Sequence, residues 1–483
     1  MLFVALFLRV PSLRVHDPRR TGRSEIPNSK KKMMVRGLGR GRILSSSPQG
    51  RGHRHLAARA RRLIPAAMPD ETDAQLAAQY EALPYPARDP RDEAKRLIVG
   101  SPSNLAEVDH WVFGARRAAG LPMRALVAGG GTGDGAIMLA QQMAWAGRPG
   151  EVVWLDRSGA ARKVAEARAA ARGLLNIRFV EGSILDLPEM GVFDYVDCCG
   201  VLHHLPDPLA GLRGLSRVLA PGGGMGIMVY APHGRTGVYM LQDALRMLAP
   251  VDEAPAARVD VAKRVMRHLP ETAWLRKNPW ITDHLPLPQG GGDPGLYDLL
   301  LNPRDVAFTV PALAALVEAA GLRISTLVEP VRYDPDPLLP DPRLRARTAG
   351  MGMVERAALA EALAGNMGIH IAYLARAEDA AVRADWEDPS AVPVLRGGDG
   401  ASWAKGARGG SLAITFDGLR VVLPVPPLAA AVLSRVDGRA TMAEIARAVE
   451  AGGAPAAQVA RDMAALWRAM EPTNRVTLAA PGR

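Results

Sequence analysis

The sequence predicts an α/β protein built on a doubly wound, mostly parallel sheet, with a helical insertion late in the sheet and a small α+β domain after it. Three observations predict this. From residue 124 onward short apolar stretches alternate with helical ones, the spacing of a parallel sheet covered on both faces. The first apolar stretch, "LVAGGGTGDGAI" at 126–137, ends in five glycines within seven residues, a strand-to-helix turn that brings bare backbone and a helix N-terminus toward a ligand. Finally, 48% hydrophobic and 23% charged residues is a globular composition, and 483 residues leave room for two or three domains.

The elements follow in order. Residues 1–67 carry 16 Lys/Arg against only Asp17 and Glu25, so the whole-chain charge of +11 resides in this segment and the remainder is close to neutral. With no hydrophobic period and many breakers it is expected to be disordered, or untranslated if synthesis begins at Met68. Its apolar opening, Leu2 to Leu8, is too short to span a bilayer, and no membrane anchor is expected. Only two cysteines occur, the adjacent Cys198 and Cys199, with no metal-ligand or disulfide spacing; a reducing, cytoplasmic setting is the expectation. Residues 68–118 mix helical pieces with aromatics and prolines and are expected to form a lid, with Tyr80 and Tyr85 candidates to cover a bound ligand.

The strands are expected at Arg124–Ala128, Val152–Asp156, Ile177–Glu181, Phe193–Cys199, Met225–Tyr230, Arg323–Glu329 and Ile369–Ala375, within a domain spanning 119–377. Helices are expected after the first, second and fourth strands, and again at 310–320 and up to Gly365. An insertion at 232–309 is expected to be helical at 238–248 and 256–269, then rich in Trp, Pro and Gly. Residues 378–410, with "GGDGASWAKGARGG", read as a linker. Beyond it "SLAITFDGLRVVLPV" predicts a hairpin turning at Asp417–Gly418. Helices from Pro427 and Thr441 follow, the second opened by a Thr441–Glu444 capping box, so that 411–475 form the small domain.

The glycine turn alone leaves the cofactor open. Read from Gly131, "GTGDGA" fits the dinucleotide pattern G-x-G-x-x-A; read from Gly129, the same stretch is the G-x-G-x-G of S-adenosylmethionine sites. Asp156, ending "VVWLD", suits either, because a carboxylate accepts from both hydroxyls of a ribose.

Downstream segments decide. "VEGSILDLP" at 180–188, "FDYVDCCGVLHHLPDP" at 193–208 and "LSRVLAPGGGMGIMVYAP" at 215–232, taken with the glycine turn, resemble in order four motifs of the class I S-adenosylmethionine-dependent methyltransferases. The resemblance implies a Rossmann-like, seven-stranded sheet with S-adenosyl-L-methionine as cofactor. It implies that Gly129, Gly131 and Gly133 lie against the methionine portion, that Asp156 holds the ribose, and that Ser183 and Ile184 border the adenine. Cys199 and Gly200 would then line the methionine side near the methyl. Ser183 stands where many relatives carry an acidic residue, which leaves nearby Asp186 as an alternative partner for the adenine.

Methyl transfer from a sulfonium expels a neutral leaving group, so catalysis is positioning and desolvation, with a base only where the acceptor must lose a proton. His203 and His204, just past the fourth strand, are the candidate bases, ahead of Tyr230 and His233; Cys198 and Cys199 read as inert packing. No "(N/D)PP(Y/F)" follows that strand and the chain beyond residue 67 is not basic, so no nucleic acid is expected. The acceptor is expected to be a small molecule, with a peptide or protein next; the alternative to an enzyme is a non-catalytic methyltransferase-like protein that binds a partner through its C-terminal domain. Trp274, Trp280, Tyr297, Arg276, Lys277 and His284 of the insertion are candidates to wall the acceptor pocket. The terminal "LPVPPLAAAVLSRVDGRATMAEIARAV" weakly resembles small peptide-binding domains and the regulatory segments of some bacterial protein methyltransferases. It would equally suit a winged-helix-like dimerisation module.

Overall fold

The computed structural model describes residues 70–480 and 482; the expectations for residues 1–67, and for a start at Met68, fall outside them. Strands β1 (Met123–Ala128), β2 (Gly150–Asp156), β3 (Ile177–Glu181), β4 (Phe193–Cys199), β5 (Leu219–Tyr230), β6 (Leu322–Leu327) and β7 (Ile369–Arg376) form one seven-stranded sheet in the order β3-β2-β1-β4-β5-β7-β6. Neighbours β3 through β5 run parallel, whereas β7 is antiparallel to both β5 and β6. The order reverses between β1 and β4, and ligands of doubly wound sheets bind at that reversal, outside the carboxyl ends of the strands.

Labelling helices of eight residues or more, α1 (Asp70–Ala82) precedes the sheet, α2 (Asp134–Trp145) and α3 (Gly159–Ala171) follow β1 and β2, and α4 (Pro208–Arg217) follows β4. The insertion holds α5 (Val238–Leu248), α6 (Pro255–His268) and α7 (Gly292–Leu300); α8 (Val310–Ala319) and α9 (Met353–Ala364) flank β6. Local chemistry starts several of these helices. Ser158, Asp207 and Thr309 each cap α3, α4 and α8 through the side-chain oxygen, and Pro stands at the start of α4 and α8, where its missing N–H costs nothing. Helices α4, α8 and α9 bury Leu212, Leu215, Leu313, Leu316 and Ala357 on one face of the sheet. On the other face α2 and the segment at 105–113 bury Leu139, Met143, Val108 and Phe113 against Val127, Trp154 and Tyr195. Each of the buried leucine, methionine, valine and phenylalanine side chains contributes about 1.5–3 kcal/mol by leaving water.

The structure corrects the linker expected at 378–410. Pro393–Leu395 forms β8 and Gly400–Ala407 forms α10, whose N-cap Asp399 accepts from the Ser402 N–H at 2.8 Å. Of the glycines that suggest a flexible tether, Gly400 and Gly406 lie within this helix and the others flank it, and the partner of β8 is β11 (Val476–Leu478), some eighty residues on, beyond any local pattern. Hairpin strands β9 (Ser411–Phe416) and β10 (Leu419–Pro424) turn at Asp417 and Gly418, both with positive φ, and pair as expected. Helices α11 (Met442–Glu450), with its Thr441–Glu444 capping box, and α12 (Ala456–Met470) complete a separate core around Val432, Ile445, Leu466 and Trp467. Arg332–Asp417 (3.0 Å), Arg475–Glu329 (3.0 Å) and His110–Glu471 (3.1 Å) tie this domain to the sheet.

Candidate active site

A cavity of about 480 Å³ opens over the carboxyl ends of β1, β2, β3 and β4, between α1 and the sheet. Gly129, Gly131, Asp156, Ser183, Ile184, Cys199, Gly200 and His204 all line it; Gly133 and His203 do not.

At the end of β2 the Asp156 carboxylate accepts from the Gly131 N–H (2.8 Å) and the Ser158 N–H (3.0 Å), so it holds the glycine turn to its own strand and keeps lone pairs toward the cavity. Burial raises its pKa above the usual carboxylate range, against the lowering effect of the Ser158, Gly131 and Arg157 N–H groups. Gly131, at φ +49°, is crowded by the chain itself: a Cβ there would stand 2.8 Å from the Tyr85 carbonyl oxygen. The Thr132 hydroxyl donates to the Pro86 carbonyl at 2.7 Å, so the Tyr85–Pro86 segment is laid over the turn. Gly133 departs from the expected place. At φ +102° a Cβ would meet Ile137 and Ala165, so this glycine starts α2 and lets α3 close on it, facing away from the cavity. Asp186, the alternative adenine partner, is exposed and outside the cavity lining.

An ion cluster locks the lid segment to the sheet. Arg88 grips Asp134 through Nε (2.9 Å) and Nη2 (2.5 Å), Arg168 reaches Asp134 (2.7 Å) and Glu93 (2.6 Å), and Arg172 also pairs with Glu93. Burial alone would raise the Asp134 pKa, but Arg88 and Arg168 outweigh it and hold the carboxylate far below its usual range.

The other end of the cavity is built around Asp298 on α7, a residue the sequence did not flag. Tyr80 of α1 donates to its Oδ1 and Tyr230 of β5 to its Oδ2, both at 2.9 Å, and the Asn302 amide donates to Oδ1 at 3.2 Å. Burial, then the Asp298 charge, raises both phenols well above the usual tyrosine range. His204 Nδ1 donates to the Arg304 carbonyl at 2.6 Å, which makes Nε2 the unprotonated nitrogen of the neutral ring; Nε2 lies 3.9 Å from Asp298 Oδ1.

The two histidines therefore part company. His203 is fully buried, stacks on Tyr230 at 3.8 Å between ring centres, and neither ring nitrogen has a hydrogen-bond partner among the described residues. Burial, with His204 and Arg235 nearby, lowers its pKa well below the usual histidine range, so it is a neutral packing residue and not a base. Cys198 and Cys199 are likewise pushed up by burial and by Asp197, as inert thiols should be. His233 is exposed and outside the cavity lining. The expected aromatic wall is also corrected: Trp274 is exposed, Trp280 abuts the Gly418 turn, and Tyr297 sits in the insertion's own core bonded to Arg258. None of these, nor Arg276, Lys277 or His284, lines the cavity; Asp298 is what the insertion supplies.

Comparison with known proteins agrees with this fold. A family model described as "Methyltransferase domain" matches residues 126–225, from β1 into β5. The uncharacterized protein syc1184_c of Synechococcus sp. is 30% identical over 310 residues, covering 62% of this chain and 70% of that one. The chain belongs to the class I S-adenosylmethionine-dependent methyltransferase family. A demethylmenaquinone methyltransferase of Geobacillus kaustophilus is 41% identical over 94 residues, 19% of this methyltransferase and 39% of the relative. Among solved structures, PKMT2 from Rickettsia typhi shares the fold at 12% identity, with a TM-score of 0.54 and coverage of 86% of this chain and 76% of that one. Its complex with AdoHcy aligns with a TM-score of 0.52 at 13% identity, over 74% and 71% of the two chains. S-adenosylmethionine is the cofactor of this methyltransferase. No helix among the described residues is long and apolar enough to cross a membrane.

Proposed function

We propose that this methyltransferase acts on a small molecule, methylating an acceptor that loses a proton to His204. The cofactor supplies an activated methyl on a sulfonium. In this reading Asp156 holds the ribose, Ser183 and Ile184 border the adenine, and Gly129, Gly131, Cys199 and Gly200 lie along the methionine portion. The cavity, about 480 Å³ and lined on one side by α1 and the Tyr85–Pro86 segment, is the size of a small-ligand site.

The observation that carries the reading is the orientation of His204. Its Nδ1–H is committed to a backbone carbonyl, so Nε2 is the nitrogen left to accept a proton at the cavity wall. Asp298, 3.9 Å away and braced by Tyr80 and Tyr230, is placed to stabilise the imidazolium that results. No residue of 411–475 lines the cavity, so the small domain supports neither acceptor class directly.

The test is methyl transfer from labelled S-adenosylmethionine into separated low-mass and macromolecular fractions of a cell extract. Label should enter the low-mass fraction, and His204→Asn, which keeps the donor to Arg304 but removes Nε2, should slow it by about 10²–10⁴-fold. Label confined to peptide or protein would overturn the small-molecule reading, and an unaffected His204→Asn rate would remove the base.

A further inference from the structure

The cavity floor carries a carboxyl that neither the cofactor motifs nor the acceptor cluster uses. Asp197 lies on β4 two residues before Cys199 and pairs in register with Val127 of β1 and Gly226 of β5, at the strand reversal. It lines the cavity although only 1% exposed. The Ser103 hydroxyl donates to Oδ2, whereas Oδ1 has no hydrogen-bond partner among the described residues. The first turn of α2 comes close enough that a Cβ on Gly135 would stand 3.2 Å from Oδ2 and 3.3 Å from Ser103 Oγ. A buried carboxylate normally has a cation, and this one forms no ion pair with any described lysine or arginine.

The facing groups do not supply the charge either. On β4 itself Tyr195, Cys198 and Cys199 stay neutral, raised by burial and by Asp197. Across from them Asp134 is committed to Arg88 and Arg168, and Glu107 to Arg396, Ser101 and Tyr373. The neighbouring strands present Val127 and Met228 to the same cavity, neither of them charged.

We propose that Asp197, with Ser103, is the counter-charge for the α-ammonium of the cofactor's amino-acid end. The proposal rests on S-adenosylmethionine occupying this cavity. It adds a binding residue beyond the glycine turn, and it couples binding to a proton. Burial pushes the Asp197 carboxyl up to about 8, against the Cys199 backbone N–H, so in the free protein it is protonated below that pH. An ammonium beside it favours the ionised form, so binding releases one proton to solvent, and affinity falls as pH drops below about 8.

The experiment is calorimetry from pH 6.5 to 8.5 with S-adenosylhomocysteine, which keeps the ammonium but lacks the sulfonium. Methylthioadenosine, which lacks the amino-acid end, is the control. The wild type should bind S-adenosylhomocysteine on the order of tenfold more tightly per pH unit up to about 8 and release about one proton, read from buffers of different ionisation enthalpy. Asp197→Asn should flatten that slope and abolish the release, with methylthioadenosine bound as in the wild type. A pH-independent wild-type affinity without proton release overturns the proposal, a result that needs no variant to fold; so does an Asp197→Asn protein that keeps the slope. If neither ligand binds the wild type, it is the cofactor's place in this cavity that falls.

Discussion

Replacing Asp156 by alanine tests the cofactor half of the site at the point where fold and ligand meet. The structure gives the carboxylate two protein partners, the Gly131 N–H at 2.8 Å and the Ser158 N–H at 3.0 Å, before any ribose is counted. Hydrogen bonds to a charged group are each worth about 1.5–3 kcal/mol, so losing both should cost about 2–4 kcal/mol of stability once water has partly compensated a half-buried turn. If the remaining lone pairs take the ribose hydroxyls, S-adenosylhomocysteine should lose a further 1.5–3 kcal/mol of binding, about a 10- to 150-fold rise in Kd. Asp156→Asn keeps one acceptor oxygen but turns an amide N–H toward a backbone donor, so it should fall between alanine and wild type in both measurements. Denaturant unfolding gives the first quantity and titration calorimetry the second. A folded Asp156→Ala protein with an unchanged Kd would show that the carboxylate serves only the turn, and the ribose assignment would fail.

Two of the turn's positive-φ glycines, Gly131 and Gly133, should separate cleanly. Gly133→Ala places a methyl 2.9 Å from Ile137 and 3.0 Å from Ala165, so it should lower stability by about 1–3 kcal/mol while a folded sample keeps its affinity for S-adenosylhomocysteine within a few fold. Gly131→Ala meets the Tyr85 carbonyl inside the cavity and should weaken both, as unfolding and calorimetry would report. Asp197 predicts the pH dependence of the ligand-free protein. Its folded pKa, about 8, exceeds that of the unfolded chain, so the folded state keeps a proton that the unfolded state has lost. Stability should therefore fall as pH rises from about 4 towards 8, and Asp197→Asn should remove that slope from a series of melting curves. Arg332→Ala strips Asp417 and Glu329 of a buried partner and should speed proteolysis at residues 378–410. The Kd for S-adenosylhomocysteine should stay within twofold, because the hairpin does not reach the cavity.

Much of the sheet was legible because its signals are local. A parallel strand buried on both faces is a short, mostly apolar run, and β4 falls where its run does. The glycine turn and Asp156 were legible for the same reason, a fixed spacing between a strand end and a helix start. The histidine pair was only half legible. Both residues lie in the 3-10 turn Leu202–His204, in which successive side chains point about 120° apart, so one ring enters the cavity and its neighbour stacks beneath Tyr230. Nothing in "VLHHLPDP" says which. Strand β8 was illegible because its three residues have no pattern until β11 pairs with them. Asp298 was illegible because an acidic residue on an amphipathic helix ordinarily faces water; only the tertiary approach of Tyr80 and Tyr230 buries it.

That difference in legibility bears on how acceptor specificity is built. The residues matched by the methyltransferase model, 126–225, contain Gly129, Asp156, Ser183, Cys199 and His204, which is the sheet's own edge. Tyr80, Tyr230 and Asp298 all lie outside that stretch, on α1, at the end of β5 and on α7. They converge because Asp298 has two oxygens and each takes one phenol, so the lid helix and the insertion are joined by a carboxylate that neither could bury alone. Under the proposed function, a change in the insertion would alter the chemistry facing the acceptor and the seating of α1 together, while Asp156 and the glycine turn stay in place. Similarity confined to the matched stretch accordingly speaks to the cofactor and is silent on the acceptor. The partial likeness to demethylmenaquinone methyltransferases, 94 residues long, carries no acceptor with it, and on the function proposed above the acceptor's chemistry is to be sought in what can lie against Asp298, the two phenols and His204 Nε2.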